Sequence, residues 1–361
     1  MPFTAAELAN IGNAALDQYM GKGEVYVNAI QNKPMMKAFD ENAGDFTSGK
    51  GNVSLAVKVG AGGLTLSGYT HDDVVSYANP ATIKRINFPW REHHIGMGLT
   101  HTELKHDGIT VVETAASQRT SNKDDRENQA LANLFEEKLA EMNEDYAVSW
   151  DGLIHGDGSS DAKAIAGVRA FILDNPALGS TGGLNRTTNT WWRNRAATAA
   201  ALAASTGPGA VTSAVAGGGA LLQFLQKEER QLDRFARGGR KSKMYAGSDF
   251  LNAVETELRG NGQYAMTGWK GGNGATDGFM PAVSWNGIEI MYDPALDTLG
   301  LAKRCYNIDH KRIKLLYMKG EKMKQANPAR PYDRYVMYRG VTTTAVMVAQ
   351  QLNTSAVYDI V

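Results

Sequence analysis

Between Leu131 and Leu153 the apolar residues Leu131, Phe135, Leu139, Met142, Tyr146, Trp150 and Leu153 recur at steps of three or four. This spacing draws one stripe along an α-helix of about eight turns, roughly 45 Å long at about 1.5 Å per residue. Ser121-Asn122 offers an N-cap, Asp124, Asp125 and Glu127 suit the positive end of the helix dipole, and Gly156 and Gly158 end the run. The predicted helix spans 122–154. With no heptad partner in the chain, it reads as a spine on which a sheet or a second element packs.

The flanking patterns supply that partner. Leu8, Ile11, Ala15 and Tyr19 predict a modest amphipathic helix over 4–20. Residues 31–51, with Gly44, Gly49 and Gly51, read as a polar extended arm or linker. Val53, Leu55 and Val57, then Ile83, Ile86 and Phe88 after Asn79-Pro80, alternate as the two sides of a long hairpin. It carries few large apolar residues and must lie against something else. Strands continue over 89–112 through Trp90, Ile95, Met97, Leu99, Leu104 and Val111, with a turn at Asp107-Gly108. The Ala-, Thr- and Gly-rich stretch 197–220 reads as a flexible or loosely helical connection. A second helix follows, with Leu221, Leu222, Leu225, Leu232 and Phe235, closed by Gly238-Gly239. Lys243–Gly247 reads as a short strand, Ser248 opens a helix to about Arg259, and 261–278 is a Gly-rich insertion. Strands resume at 282–292, 312–318 and 335–350. The order is that of an α+β chain.

Composition removes several function classes. The 38 basic and 38 acidic residues cancel, which gives no global electrostatic case for nucleic acid or membrane binding. Cys305 is the single cysteine, so the chain forms no internal disulfide and no Cys-based metal cluster; this suits a reducing compartment. Met1–Glu7 lacks the basic and apolar regions of a secretory signal, and no stretch reaches the roughly 18 apolar residues of a membrane span.

The candidate chemistry is thin. His93, His94, His101 and His106 lie close in sequence and His155 follows the long helix, but His93 and His94 point to opposite faces of a strand. Strand histidines held by hydrogen bonds are the simpler reading than metal ligands. Cys305, near Arg304, Tyr306 and His310, matches no activating spacing and reads as a small buried thiol. The densest glycine stretch, Gly271–Thr276, has no Lys-Ser or Lys-Thr behind it and reads as a loop. Glu136, Glu137, Glu141 and Glu144 occupy the polar face of the long helix. Arg234, Arg237, Arg240, Lys241 and Lys243 are basic enough to touch phosphate, or to cap a helix and bridge to acidic neighbours. No residue is assigned a catalytic, cofactor-binding or metal role.

The segment Gly182–Asn194 sets two adjacent tryptophans, Trp191 and Trp192, in a run of Gly, Asn and Thr, with Asn185, Arg186, Arg193 and Asn194 around them. A tryptophan buries much apolar area while its N–H seeks an acceptor, so the segment reads as an anchor wedged against protein within or between subunits. Each truncation, Trp191→Ala or Trp192→Ala, is expected to cost about 3–5 kcal/mol where the ring is buried.

This order of elements, with Trp90-Arg91, Trp150–Gly158, Gly167–Ile172 and Gly182–Asn194, resembles the major capsid protein of tailed bacteriophages, the HK97-type fold. The resemblance implies an N-terminal arm over 1–45, an extended E-loop over 46–92 and a P domain over 93–214 holding the spine helix 122–154. It implies an A domain over 215–335 and C-terminal strands over 336–361 that return to the P and A domains. It further implies a structural, non-enzymatic protein that assembles with itself as hexamers and pentamers into an icosahedral shell around double-stranded DNA. Expected partners are a separate scaffolding protein, a portal and a decoration protein, with the virion as location and the host bacterial cytoplasm as the place of assembly. Lys58 and Lys84 are available for a covalent cross-link, but no partner Asn or carboxylate is marked and none is predicted. An encapsulin-like compartment shares the fold, and a metal-dependent hydrolase using His93, His101 and His155 is the enzymatic rival.

Overall fold

The computed structural model describes residues 3–4, 32–47, 51–59, 64, 66–75, 77, 79, 82–100, 102–103, 111–112, 125–212, 220–260, 283–285, 287–326 and 336–361. Along the chain the elements run β1 (Phe3–Thr4), α1 (Pro34–Glu41), β2 (Gly44–Phe46), β3 (Asn52–Lys58), β4 (Ile83–Pro89), β5 (Arg91–Thr100), β6 (Val111–Val112) and α2 (Asp125–His155). Then come α3 (Val168–Phe171), β7 (Ser180–Thr181), β8 (Leu184–Asn185), a 3-10 turn (Thr190–Trp192), β9 (Arg195–Ala197), α4 (Ala199–Ala203), α5 (Leu221–Asp233), β10 (Ser242–Ala246) and α6 (Ser248–Gly260). The last part holds β11 (Val283–Trp285), β12 (Ile288–Tyr292), α7 (Pro294–Thr298), β13 (Arg304–Asp309), β14 (Ile313–Met318), β15 (Lys324–Ala326), β16 (Val336–Ala349) and β17 (Ala356–Asp359).

Helix α2 is the expected spine. Leu139, Met142, Tyr146 and Trp150 are buried and Leu153 half-buried, so the stripe faces protein over the described side chains. Trp150 stacks on Tyr146 (5.9 Å between ring centres) and on Tyr317 of β14 (6.4 Å). The Tyr146 hydroxyl lies 3.0 Å from that of Thr343 on β16. The helix therefore lies along a five-stranded sheet in which long β16 is central. It pairs antiparallel with β5, β14 and β15, and β2 joins β14 in parallel.

A six-stranded sheet of order β11-β12-β10-β13-β17-β9 stands beside the first. Its strands alternate between two cores. Met244, Ala246, Cys305 and Tyr358 face α5 and α6, while Tyr245, Tyr306, Ile308 and Val357 join the main core with the root of the hairpin and α2. Arg304 and Glu229 at this sheet are paired. Arg304 holds Asp359 at 2.7 and 2.9 Å and Asp174 at 2.9 Å, and Asn307 donates to Glu229, which also pairs with Arg240.

Residues 31–51 depart from the extended arm expected of them. Pro34 starts α1 at a position where its fixed φ suits a helix, and Met35, Met36, Ala38 and Phe39 are fully buried. Its eight residues are too few to show a periodic signal. The hairpin forms as expected, β3 on β4 with Val53 opposite Phe88 and Lys58 opposite Ile83. Within the connection after residue 197, α4 agrees with the loosely helical reading and is capped by Thr198, whose hydroxyl accepts from the Ala201 N–H; residues 213–219 lie outside the described residues. The expected helix over 4–20, the turn at Asp107-Gly108 and the insertion 261–278 lie outside the described residues, apart from Thr4 in β1. Among the described residues no helix is long and apolar enough to cross a membrane.

Candidate assembly site

The Trp-Trp segment is built around a buried arginine. Arg186 is fully buried, and its guanidinium donates to the Thr181 hydroxyl (3.0 and 2.8 Å), the Asn194 side-chain oxygen (2.7 Å) and the Phe171 carbonyl (2.6 Å). These acceptors are neutral, and burial alone pulls the Arg186 pKa down to about 10, still charged at neutral pH. Asn194 in turn clips Leu173 through both its N–H and its carbonyl. Trp192 is buried, with its indole N–H on the Thr181 carbonyl at 3.1 Å, whereas Trp191 is half-buried. The expected anchor is thus an anchor within the subunit at Trp192.

This anchored loop holds the hairpin by its root. Gly182 takes φ +62°, a conformation that favours glycine, and a Cβ there would sit 3.0 Å from Ile86 and from Phe88. The Gly182 carbonyl accepts the Asn87 N–H at 3.1 Å, and the Lys84 ammonium donates to the Asn189 side chain at 2.7 Å. Phe88 meets Phe171 at 5.6 Å between ring centres. Beyond this root the described tip is bare: Leu64, Leu66, Tyr69, Val74, Val75 and Tyr77 are exposed. Six large apolar side chains on one projecting loop is more than scattered surface exposure explains.

Two hollows flank the half-buried Trp191. One, of about 850 Å³, lies between β3 and the segments around Phe235 and Gln350; the other, of about 320 Å³, lies between Trp191 and Pro208. Trp191, Phe235 and Asn353 line both.

The histidines have structural duties. His93 accepts the Ile165 N–H at 3.1 Å and packs edge-on to Trp150; His94 is exposed on the opposite face of β5. His155, buried at the end of α2, meets the Asp151 carbonyl (2.8 Å) and the Asp293 carboxylate (2.9 Å). Burial works against its charge, but Asp293 and Asp151 outweigh it and raise the His155 pKa. Burial pushes Asp151 up to about 6, against the pull of His155. His101 and His106 lie outside the described residues, and among the described residues no three His, Cys, Asp or Glu side chains are placed to hold a metal ion. Cys305 is fully buried and its thiol pKa is pushed up by burial, as expected of an inert thiol. Of the basic cluster, Arg240 pairs with Glu229 and Asp233, Lys243 with Glu41, and Lys241 with Asn42. Arg237 lines the larger hollow. Glu141 is exposed and Glu144 half-buried; the side chains of Asp125, Glu127, Glu136 and Glu137 lie outside the description. Asp293, the residue that fixes His155 and caps α7, carried no signal in the sequence because its partner is 138 positions away.

No family model and no curated protein matches the chain. Solved structures do. The capsid asymmetric unit of Cyanophage A-1(L) is similar over 92% of this chain and 94% of its own, at 14% identity and a TM-score of 0.62. This chain has the phage capsid fold. The capsid of Myoviridae Phage XM1 aligns over 91% of this chain and 92% of its own at 12% identity, TM-score 0.50. The capsid of an empty GTA particle aligns over 92% and 91% at 11% identity, TM-score 0.50. The mixed α+β architecture is accordingly HK97-like. Whole-length similarity of fold at such low identity fits a scaffold set by layer packing rather than by particular side chains.

Proposed function

We propose that this chain is the major capsid protein of a tailed bacteriophage, a structural protein that assembles with itself as hexamers and pentamers into an icosahedral shell around double-stranded DNA. The observation that carries the reading is the capsid fold spanning 92% of the chain. The exposed apolar tip of the hairpin supports it, because such a surface is costly in water and is relieved by burial on another molecule.

In this reading residues 1–45 form the N-arm, 46–92 the E-loop, 93–214 the P domain with its spine helix, and 215–335 the A domain, with 336–361 returning to both. The pairing of β14 and β15 with β16 supports counting these two strands with the P-domain sheet in this reading. Scaffold, portal and decoration proteins are the partners, packaged DNA is held without sequence preference, and the protein works in the virion after assembly in the host cytoplasm. Near-neutral charge suits a shell that encloses DNA without gripping it. Expression in a bacterial host, alone and with the neighbouring scaffold gene, followed by sedimentation and electron microscopy, tests the reading. Closed shells or capsomers are expected; a strictly monomeric product in both arms refutes it.

A further inference from the structure

The last side chain of the spine helix is gripped at both nitrogens of its ring. His155 is 2% exposed; its Nδ1 lies 2.8 Å from the Asp151 carbonyl oxygen and 3.5 Å from the Asp151 carboxylate, and its Nε2 lies 2.9 Å from the Asp293 carboxylate. A neutral imidazole has one N–H, whereas a carbonyl and a carboxylate only accept, so both contacts are hydrogen bonds when both nitrogens are protonated. We propose that His155 is a proton-held clamp, a buried imidazolium whose two N–H bonds seat the end of α2 on the six-stranded sheet and whose deprotonation releases that end. The clamp lies wholly within one subunit and is independent of what the subunit builds.

A single carboxylate makes the joint on the far side. Asp293 stands between β12 and α7; its N–H donates to the Ala246 carbonyl at the end of β10 (3.0 Å), and its second carboxylate oxygen accepts the Ala295 N–H (3.2 Å). The proton on His155 therefore ties the last turn of α2 to β10, β12 and α7 together. The chain beyond closes over the same turn, since a Cβ at Gly167 would meet the carbonyl oxygens of Leu153, Ile154 and Gly156 at 2.3, 2.4 and 2.5 Å. The surrounding charges favour the proton, as does the C-terminal end of the helix, which attracts a cation. Burial raises the Asp151 pKa to about 6, against the pull of His155 and of Lys33 at the N-cap of α1. Two buried acids, Asp151 and Asp293, then stand with two buried bases, Lys33 and His155, and the group is balanced above about pH 6 for as long as His155 stays charged. Tyr245 of β10 and Tyr292 of β12 also sense Asp293; burial pushes the first far up and the bond to Asp297 takes the second to about 12, so neither titrates in this range. Loss of the His155 proton leaves an unbalanced buried negative charge and an acceptor without its donor. Moving the last turn of α2 off the sheet lets water answer both.

Full-length, histidine-labelled subunits, kept unassembled, test the clamp by NMR and amide hydrogen exchange. At pH 7 His155 should show two N–H resonances, and its titration midpoint should lie above 6.5. Exchange over residues 152–156 and 295–300, corrected for the intrinsic base-catalysed rate, should stay level up to that midpoint and then rise about tenfold in both segments together. Asp151→Asn removes a counter-charge but keeps the carbonyl acceptor, and should move the His155 midpoint and the exchange step down in pH by the same amount. His155→Gln should abolish the step; where that variant does not fold, Asp151→Asn decides alone. A single N–H at pH 7, with a neutral ring accepting from a protonated Asp293, overturns the clamp. So does an exchange step that stays in place while Asp151→Asn moves the His155 midpoint, or one that survives in His155→Gln.

Discussion

Truncating the two adjacent tryptophans separates an internal anchor from an exposed contact. Trp192 is buried to 1% exposure, so Trp192→Ala leaves a cavity worth about 3–5 kcal/mol. It also strips the Thr181 carbonyl of its donor, which adds about 1 kcal/mol. Trp191 lines an open hollow, and its removal seals off no cavity. Losing about 100 Å² of apolar burial at about 25 cal/mol per Å² costs about 2–3 kcal/mol. Trp192→Phe keeps most of the ring and loses the N–H, about 1–2 kcal/mol. For 361 residues, an unfolding entropy of about 2.1 cal/mol/K per residue makes each kcal/mol worth about 1.3 °C. Thermal melts of unassembled subunits should therefore fall by about 5–8 °C for Trp192→Ala, about 3–4 °C for Trp191→Ala and about 1–3 °C for Trp192→Phe. Shell yield, followed by sedimentation, should fall with Trp192→Ala at least in step with its lost stability, because the loop that holds the hairpin root loses its anchor. Equal melting shifts for Trp191→Ala and Trp192→Ala, or a Phe variant as damaged as the Ala one, would refute the assignment of roles.

Arg186→Lys should destabilise the subunit by about 2–4 kcal/mol in denaturant unfolding, since one ammonium cannot reach Thr181, Asn194 and Phe171 together. Gly182→Ala should cost about 1–3 kcal/mol through its positive φ and its contact with Ile86 and Phe88, and should increase proteolysis of the hairpin first. Asp151 and His155 both bind protons more tightly when folded. The Asp151 contribution is complete below its unfolded value of 3.8 and is lost as pH rises through about 6; that of His155 is present below 6.5 and is lost above it. His310, buried and held neutral with a pKa down to about 3, acts in the opposite sense as pH falls below 6.5. Asp151→Asn should therefore remove a downward slope of melting temperature between about pH 4 and 6; an unchanged slope in the variant would show that the carboxyl is not buried as described.

The elements that could be read from the sequence are those whose signal is local. Helix α2 repeats one apolar stripe past Trp150, β10 and α6 sit between clear turn residues, and β3 and β4 alternate. Strand β13 was illegible because all six of its residues are buried, Arg304, Asn307 and Asp309 among them. Their partners Asp359, Glu229 and Ser355 are 46–78 positions away, so burial of these polar groups depends on pairings that no local pattern records. Helix α1 hid in a polar stretch for want of length. At the candidate site, a tryptophan anchor in Gly182–Asn194 was legible from residue types; which of the two rings is buried, and the burial of Arg186, were not. The hollow was not, since it draws its walls from β3, the loop after α5 and the turn after β16.

The central place of β16 in one sheet and the interior place of β17 in the other have a consequence for the timing of synthesis. Residues 91–100 of β5 wait for their partners at 336–345, an interval of roughly 12–50 s at about 5–20 residues per second. Neither sheet closes before residue 336 leaves the ribosome, and Gln350, Gln351 and Asn353 supply one wall of the hollow beside the hairpin. A nascent chain consequently carries both strands of its hairpin long before the residues that wall one side of the hollow are made. Translation itself then sets the order of events: the hairpin can pair on itself early, while both sheets stay open until the last strands arrive.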